Sequence, residues 1–391
     1  MREKMKIIFL GYYDVNNLGD PIIAHCTEWL YRKYISIPLE VRHVNLNCVN
    51  KHVISERWQR LIYKMLKRLK KKNAEKFKDQ YFLKKYIKYY ESQIDADTDF
   101  IVVVGGGMIK YKVQFCFASL CGLIKVAEKK GIPVILNAVG VEGFDKNNFR
   151  CRELKKALHF DNLKYISVRD DLETLIKNYF DGIPSIPCCK VADPAVWSSE
   201  TFGIKKTISS TIGIGIGRKG LFKDYGKAFS DRDYLELTIQ LVTNLIKQGF
   251  QIELFTNGAL LDNKYAQDIH KLLSDKGITV KLIIPNSPKE LINTISTFHC
   301  IVAPRLHSCI VAYSLGVPAI GLVWNEKLIH WGKNINAEEL YINTDEMNVE
   351  TIMRKFKKLE TYNYDESKRI LFRNTIEKSV KDVVENIIGV F

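Results

Sequence analysis

The side chains best suited to chemistry lie close together in the stretch Cys300 to Lys327, CIVAPRLHSCIVAYSLGVPAIGLVWNEK. Arg305 and His307 flank Leu306, and Lys327 follows downstream. Arginine grips a carboxylate or phosphate through two parallel N–H bonds, lysine acts as a point charge, and an imidazole can carry a proton to or from a reacting atom. Arg218 in IGIGIGRKG and Arg169 in SVRDD add fixed cations at comparable places in the pattern. A set of cations with one imidazole and no metal-ligand spacing suits a small polyanion. No metal and no cofactor is expected. His307 is either a satisfied structural residue or the proton carrier. In the second case a helix amino terminus favours the neutral base and a bound polyanion favours the general acid.

The elements around these residues explain why they should meet. Cys300 to Ala303 reads as a buried strand that Pro304 ends, because proline cannot donate to a sheet ladder. A helix then runs to about Leu315 with Ser308 or His307 as its cap, and Gly316 stops it in the left-handed conformation. Pro318 holds Val317 extended before a strand from Ala319 to Val323. Arg305 and His307 thus fall where a strand's carboxyl end meets a helix amino terminus, the place where open α/β sheets bind ligands, and Lys327 should emerge on the same rim.

The rest of the chain repeats this alternation. Lys6 to Leu10 is a strand, and the loop Gly11 to Asp20 leads into a helix near Pro21 with Asp20 as its cap; Asn17, Gly19 and Asp20 are candidates to line the site. Arg42 to Asn45 and Phe100 to Val104 follow as strands. The second ends in Gly105, Gly106 and Gly107, a run that lets the backbone pass close to a ligand or to a neighbouring helix. It is neither a dinucleotide fingerprint nor a phosphate-binding P-loop. Ile132 to Val139 is a strand ending at Gly140, Tyr165 to Val168 another, and Leu172 to Tyr179 a helix; Arg169 between them either faces the site or pairs with a neighbouring aspartate. Glu200 to Ser209 reads as a polar linker. A second series starts with IGIGIG, whose alternate glycines suit a strand with one crowded face. The expected fold is α/β, with two doubly wound, Rossmann-like domains facing a cleft: residues 1–200, and residues 210–391 with the last helix packing back on the first domain.

Composition narrows the class. The chain has 391 residues, 46% hydrophobic and 26% charged, as in a globular protein of about two domains. Its nine cysteines include no C-x-x-C pair and lie mostly in apolar runs, which points to a reducing compartment. No segment carries the roughly 20 apolar residues of a membrane-spanning helix. The net charge of +15 is concentrated between Arg57 and Tyr90, where thirteen Lys and Arg face two acids. Trp58, Ile62, Met65 and Leu69 give this segment an amphipathic helical spacing. It suits a solvated helix packed on the core, an anionic membrane or lipid-linked diphosphate, or nucleic acid; no nucleic-acid-binding motif accompanies it, and that partner is not expected. Asp95, Asp97 and Asp99 lack the glycine and distal Glu of a calcium loop and read as solvated turn carboxylates.

Taken together, GYYDVNNLGD (11–20), VVVGGGMI (102–109), SVRDD (167–171), ADPAV (192–196), IGIGIGRKG (212–220) and APRLHSCIVAYSLGVPAIGL with Lys327 resemble the polysaccharide pyruvyl transferase family, in that family's motif order. The first loop departs from the pattern by an extra residue between its Asn pair and Gly19, and the basic segment is outside it. The resemblance implies a fold like the B-type glycosyltransferases. It implies transfer of pyruvate from phosphoenolpyruvate, as co-substrate, to a sugar of a surface polysaccharide or lipid-linked precursor, usually as a ketal. It assigns phosphoenolpyruvate binding to Arg305, Leu306 and Lys327, more loosely to Arg218 and Arg169, and an acid's role to His307. The expected place of work is the cytoplasm, at the inner face of the membrane. Two other readings stay open: a nucleotide-sugar glycosyltransferase of the same architecture, with Glu326 as a candidate ribose ligand, and a non-catalytic module that binds anionic surfaces.

Overall fold

A computed structural model of the chain describes residues 4–13, 17–46, 71–359 and 362–389, with residues 71–74 described by backbone alone. The chain divides into two compact units: residues 1–13, 30–191 and 377–391 form the first, and residues 14–29 and 192–376 the second.

The first unit is built on a parallel sheet of seven strands. β1 (Met5–Gly11), β2 (Leu39–Asn45), β3 (Phe100–Val104), β5 (Val134–Glu142), β6 (Leu163–Val168) and β7 (Cys188–Lys190) lie in the order β2-β1-β3-β5-β6-β7, and β4 (Gly107–Lys110) pairs with β5. All five residues of β3 are buried, as a strand covered on both faces requires. β5 begins later than its apolar run suggests and continues past Gly140, because β4 gives its carboxyl-terminal part a partner. That partner strand opens on the third glycine of the run, and its two apolar residues, Met108 and Ile109, are too few to mark a strand on their own.

Helix α1 (Gly19–Tyr34) follows β1, and α2 (Lys71–Gln93) precedes β3. Trp58 and its stripe lie outside the described residues, but α2 carries the rest of the basic segment. Asp79, Leu83, Tyr86 and Tyr90 form its buried face, packed on α3 (Gln114–Lys130), while Lys76, Lys78, Lys84 and Lys88 are exposed. The Tyr90 hydroxyl meets Ser119 Oγ at 2.6 Å, satisfying both polar groups inside the apolar contact. Over this stretch the charge is a solvated face on a packed helix. The acidic turn is more engaged than expected. Asp95 pairs with Arg42 at 2.8 Å, Asp97 with Lys6, and Asp99 accepts from the Lys6 backbone N–H at 2.8 Å. After β5 comes α4 (Phe149–Ala157), capped by Asn148. The single helix expected over Leu172 to Tyr179 is a short α-turn, α5 (Leu172–Thr174), continued by a π-turn (Leu175–Tyr179).

The second unit holds a six-stranded parallel sheet in the order β10-β9-β8-β11-β12-β13. Its strands are β8 (Ile212–Gly215), β9 (Ile252–Phe255), β10 (Lys281–Ile283), β11 (Cys300–Ala303), β12 (Ala319–Leu322) and β13 (Tyr341–Ile342). The chain winds outward from β8 to β10, returns, and winds the other way from β11, so the order reverses between β8 and β11. The carboxyl ends flanking such a reversal are where open sheets leave room for ligands. The expected linker over Glu200 to Ser209 is in part a helix, α6 (Ser198–Phe202), ended by Gly203 at φ 66°. Helices α7 (Asp231–Lys247), α8 (Leu260–Asp275), α9 (Pro288–Ser296), α10 (Leu306–Leu315), α11 (Glu326–Asn334) and α12 (Val349–Leu359) alternate with or follow the strands. Helix α13 (Glu366–Val383) contributes its first part to the second unit and its last part to the first.

The crowded face of β8 is real: a side chain at Gly213 would run into the ring of Phe298, and one at Gly215 would lie 2.8 Å from Ala303 Cβ. Burial also pushes the thiols of Cys300 and Cys309 up to about 12, which fits their use as small hydrophobes. Gly213→Val should therefore overpack the sheet and destabilise the protein by about 1–3 kcal/mol. A melting temperature equal to that of the parent would contradict this account of the alternate glycines.

Candidate functional site

The edge of the second sheet collects the predicted cations. Arg218 follows β8, Arg305 follows β11, and Lys327 is the second residue of α11 after β12, so three neighbouring strands deliver one cation each at their carboxyl ends.

Arg305 occupies the cap position of α10 with extended backbone, φ −90° and ψ 122°, and its side chain does not cap the helix. The expected cap by Ser308 or His307 is not what forms. Both lie inside the first turn, and Ser308 Oγ instead donates to Asn257 Oδ1 at 3.2 Å. With no side-chain cap at Arg305, the first N–H groups of α10 have no side-chain acceptor among the described residues, which leaves donors and the positive end of a helix dipole facing the turn. The Arg305 guanidinium forms a two-pronged pair with Asp262 of α8: Nε donates to Oδ2 at 2.7 Å and Nη2 to Oδ1. Asp262 is 0% exposed and the Arg305 side chain 18%. The pair turns one side of the fork inward and leaves Nη1 unused by it. Trp324 supports the guanidinium from 5.9 Å and is itself fixed by an N–H bond from Nε1 to the Pro304 carbonyl at 2.5 Å.

His307 is enclosed on two sides. Its imidazole occupies the space a side chain at Gly19 would fill, at the start of α1. Its Nε2 makes no hydrogen bond among the described residues and lies 3.8 Å from Asp193 Oδ2, within ion-pair reach once the ring is protonated. Asp193 is buried, and its Oδ1 accepts from the Ala195 N–H at 3.0 Å. The side chain of His307 is only 11% exposed.

Asn257, after β9, ties these pieces together. Its side-chain N–H donates to Asn17 Oδ1 at 2.8 Å, its carbonyl accepts from the Leu18 N–H at 3.0 Å, and its Oδ1 receives Ser308. This anchors the loop ahead of α1 beside the first turn of α10, so Asn17 and Gly19 join His307. Leu18, the extra residue of that loop, is buried. Asp20 lies in the first turn of α1 and does not cap it, since the helix already begins at Gly19; its Oδ2 accepts from Asn17 Nδ2 at 3.2 Å.

Arg218 is more engaged than a free anion clamp: Nη2 meets Asp224 Oδ2 at 2.5 Å and Nη1 donates to the Lys219 carbonyl at 2.9 Å. Glu326 is exposed at the start of α11. The remaining candidates, Arg169 and Gly105 to Gly107, belong to the first unit. Gly105 and Gly106 have φ of 51° and 74°, conformations that glycine adopts without strain, and Tyr12 packs on Gly106. Arg169 is half-buried after β6, and the adjacent Asp170 accepts from the Val141 N–H at 2.8 Å.

Asp262, Asp193 and Asn257 were not singled out from the sequence as site residues. Asp193 stands in the quoted ADPAV run, where its position before proline was the one available signal; Asp262 and Asn257 look like ordinary helix-start and turn residues.

Comparison with known proteins bears on the same region. The family model for polysaccharide pyruvyl transferase matches residues 17–326. No curated protein matches the chain in sequence. Among solved structures, UDP-GlcNAc 2-epimerase from Neisseria meningitidis bound to UDP-GlcNAc is similar over 99% of this chain and 100% of its own, at 15% identity and a TM-score of 0.55. The UDP-GlcNAc 2-epimerase of Methanocaldococcus jannaschii is similar over 98% and 100%, at 14% identity and a TM-score of 0.57. At such identities the likeness establishes the fold, that of the B-type glycosyltransferases and their structural kin.

Two substitutions test the geometry. Gly19→Ala should force the imidazole of His307 out of its place and cost about 1–3 kcal/mol; a crystal structure of the variant with His307 unmoved would contradict it. Asp262→Ala should lower stability by about 3–5 kcal/mol, the usual consequence of leaving a largely buried charge unpaired, read from chemical denaturation.

Proposed function

The chain belongs to the polysaccharide pyruvyl transferase family, and from that premise we propose that it transfers the pyruvyl group of phosphoenolpyruvate to a sugar of a surface polysaccharide or lipid-linked glycan precursor, forming a pyruvate ketal. The observation that carries this reading is the pairing of a pre-set guanidinium with an enclosed imidazole two residues on, at the start of a helix without a side-chain cap, at the reversal point of the second sheet.

In this reading Arg305, with the free N–H groups of α10, binds the carboxylate or phosphate of phosphoenolpyruvate. Lys327 supplies a second charge from the same edge, and Arg218 joins by exchanging Asp224 for substrate oxygen. His307, as the imidazolium, gives its proton to the methylene carbon. The double bond's electrons form the new C–H bond and leave an oxocarbenium-like centre at C2. A sugar hydroxyl adds to that centre and loses its proton. The C2–O bond to phosphate then breaks, phosphate leaves with the bonding pair, and a second hydroxyl closes the ketal with loss of its proton. One proton enters and two depart: one reloads His307 and the other leaves on the phosphate. Asp193 holds the ring in place and balances its charge while protonated.

The acceptor would be presented from the cytoplasmic leaflet, with the basic segment 57–90, including the exposed lysines of α2, against anionic lipid. No helix among the described residues is long and apolar enough to cross a membrane, which fits a surface contact.

The test is incubation with phosphoenolpyruvate and a panel of glycans, followed by phosphate release. His307→Ala should lower turnover roughly 10²- to 10⁴-fold with little change in phosphoenolpyruvate affinity. Near-normal turnover would remove His307 from the chemistry. Thermal stabilisation by UDP-GlcNAc and none by phosphoenolpyruvate would favour the nucleotide-sugar reading instead.

A further inference from the structure

A cavity of about 550 Å³ opens in the first unit, among the amino-terminal part of α2, the residues following β4 and the start of α4. Its volume is in the range of small-molecule sites, roughly 300–1,000 Å³.

Its lining is unusually cationic. Lys76, Lys112, Arg150 and Arg152 face it against two carboxylates, Glu75 and Asp79. Asp79 is buried and already engaged: it accepts from Arg150 Nε at 2.8 Å and from Gln114 Nε2 at 2.6 Å. That pair fixes Arg150, whose Nη1 also donates to the Lys112 carbonyl at 3.2 Å. The ammonium groups of Lys76 and Lys112 lie over the rings of Phe149 and Tyr111, at 5.7 and 5.9 Å from the centroids. Among the described residues, none of Lys76, Lys112 and Arg152 has a carboxylate within ion-pair reach. Cations gathered on one concave wall in excess of its carboxylates raise the local potential and concentrate anions there. The two rings add apolar surface of the kind a pyranose packs against.

We propose that this cavity binds the phosphate-bearing sugar of the acceptor, and hence that the acceptor is a glycosyl phosphate or diphosphate. The inference rests on the pyruvyl-transfer reading for the word acceptor, but not for the binding itself. Arg150 and Lys112 meet the phosphate oxygens, Lys76 and Arg152 supply further charge, and the sugar lies along Tyr111 and Phe149. The site uses none of the residues assigned to phosphoenolpyruvate.

Isothermal titration of the full chain with glucose 1-phosphate, glucose, inorganic phosphate and phosphatidylglycerol vesicles tests it, alongside a titration with phosphoenolpyruvate. Glucose 1-phosphate should bind the parent protein more tightly than either glucose or phosphate. The exposed substitutions Lys76→Ala with Lys112→Ala, and separately Arg152→Ala, should weaken it about tenfold or more while leaving the melting temperature unchanged. Arg305→Ala should leave it unaltered. Equal affinity in parent and cavity variants, no binding by the parent, phosphate binding as tightly as the sugar phosphate, or binding of vesicles alone would each overturn the proposal. A parent protein that binds phosphoenolpyruvate but not glucose 1-phosphate would sink this site and spare the pyruvyl reading; the opposite pattern would do the reverse.

Discussion

A guanidinium can stand at the edge of a sheet and wait for an anion only if something holds its fork in one orientation without neutralising all of its donors. In this protein Asp262 does so. It sits wholly buried in the first turn of α8, where a carboxylate is favoured by the helix dipole, and binds one side of Arg305 through two oxygens. Burying both groups is costly in itself, and such pairs are seldom a source of net stability. Its use is positional. The pair fixes which N–H groups of Arg305 face inward, and Trp324 limits how far the side chain can swing.

From that anchor the other parts follow. Arg305 follows the strand and opens α10 without capping it, so His307 lands in a first turn whose backbone donors have no side-chain partner among the described residues. The imidazole needs room, and the missing side chain of Gly19 provides it. Gly19 is where it is because Asn257 fastens the preceding loop by two hydrogen bonds, to Asn17 and Leu18, and joins it to α10 by a third, from Ser308. Asp193 closes the remaining side. A charge pair, a steric gap and an amide clamp thus place an oriented imidazole and an oriented guanidinium together at a chemically plain helix start.

Much of this was legible in the chain itself. The strand Cys300 to Ala303, its arrest at Pro304 and the stop at Gly316 are local events, set by apolar runs, a missing donor and a residue free to adopt φ 71°. The two β/α series followed from the same alternation. What the sequence hid were partnerships between distant positions. Asp262 is 43 residues from Arg305, and Asn257 is 240 from Asn17; nothing local marks either as different from a surface carboxylate or a turn amide. The caps went astray for the same reason. Ser308 is a good cap in isolation, but Asn257 takes its hydroxyl. β4 escaped because its pairing with β5 creates it. The basic run suited three readings, and packing alone shows that over α2 its lysines lie on the exposed face of a packed helix; the cavity it helps to form depends on α4 and Tyr111, far along the chain.

The account stands or falls on whether Arg305 and His307 act on the same small anion. The most direct measurement is a ¹⁵N NMR titration that follows the Nε–H of Arg305 and the ring nitrogens of His307 as phosphoenolpyruvate is added. Both sets of signals should move together along one saturation curve, with the Arg305 resonance shifting as its unused donors find oxygen. If phosphoenolpyruvate binds while those resonances stay where they are, or if only UDP-GlcNAc moves them, the site described here is not a phosphoenolpyruvate site.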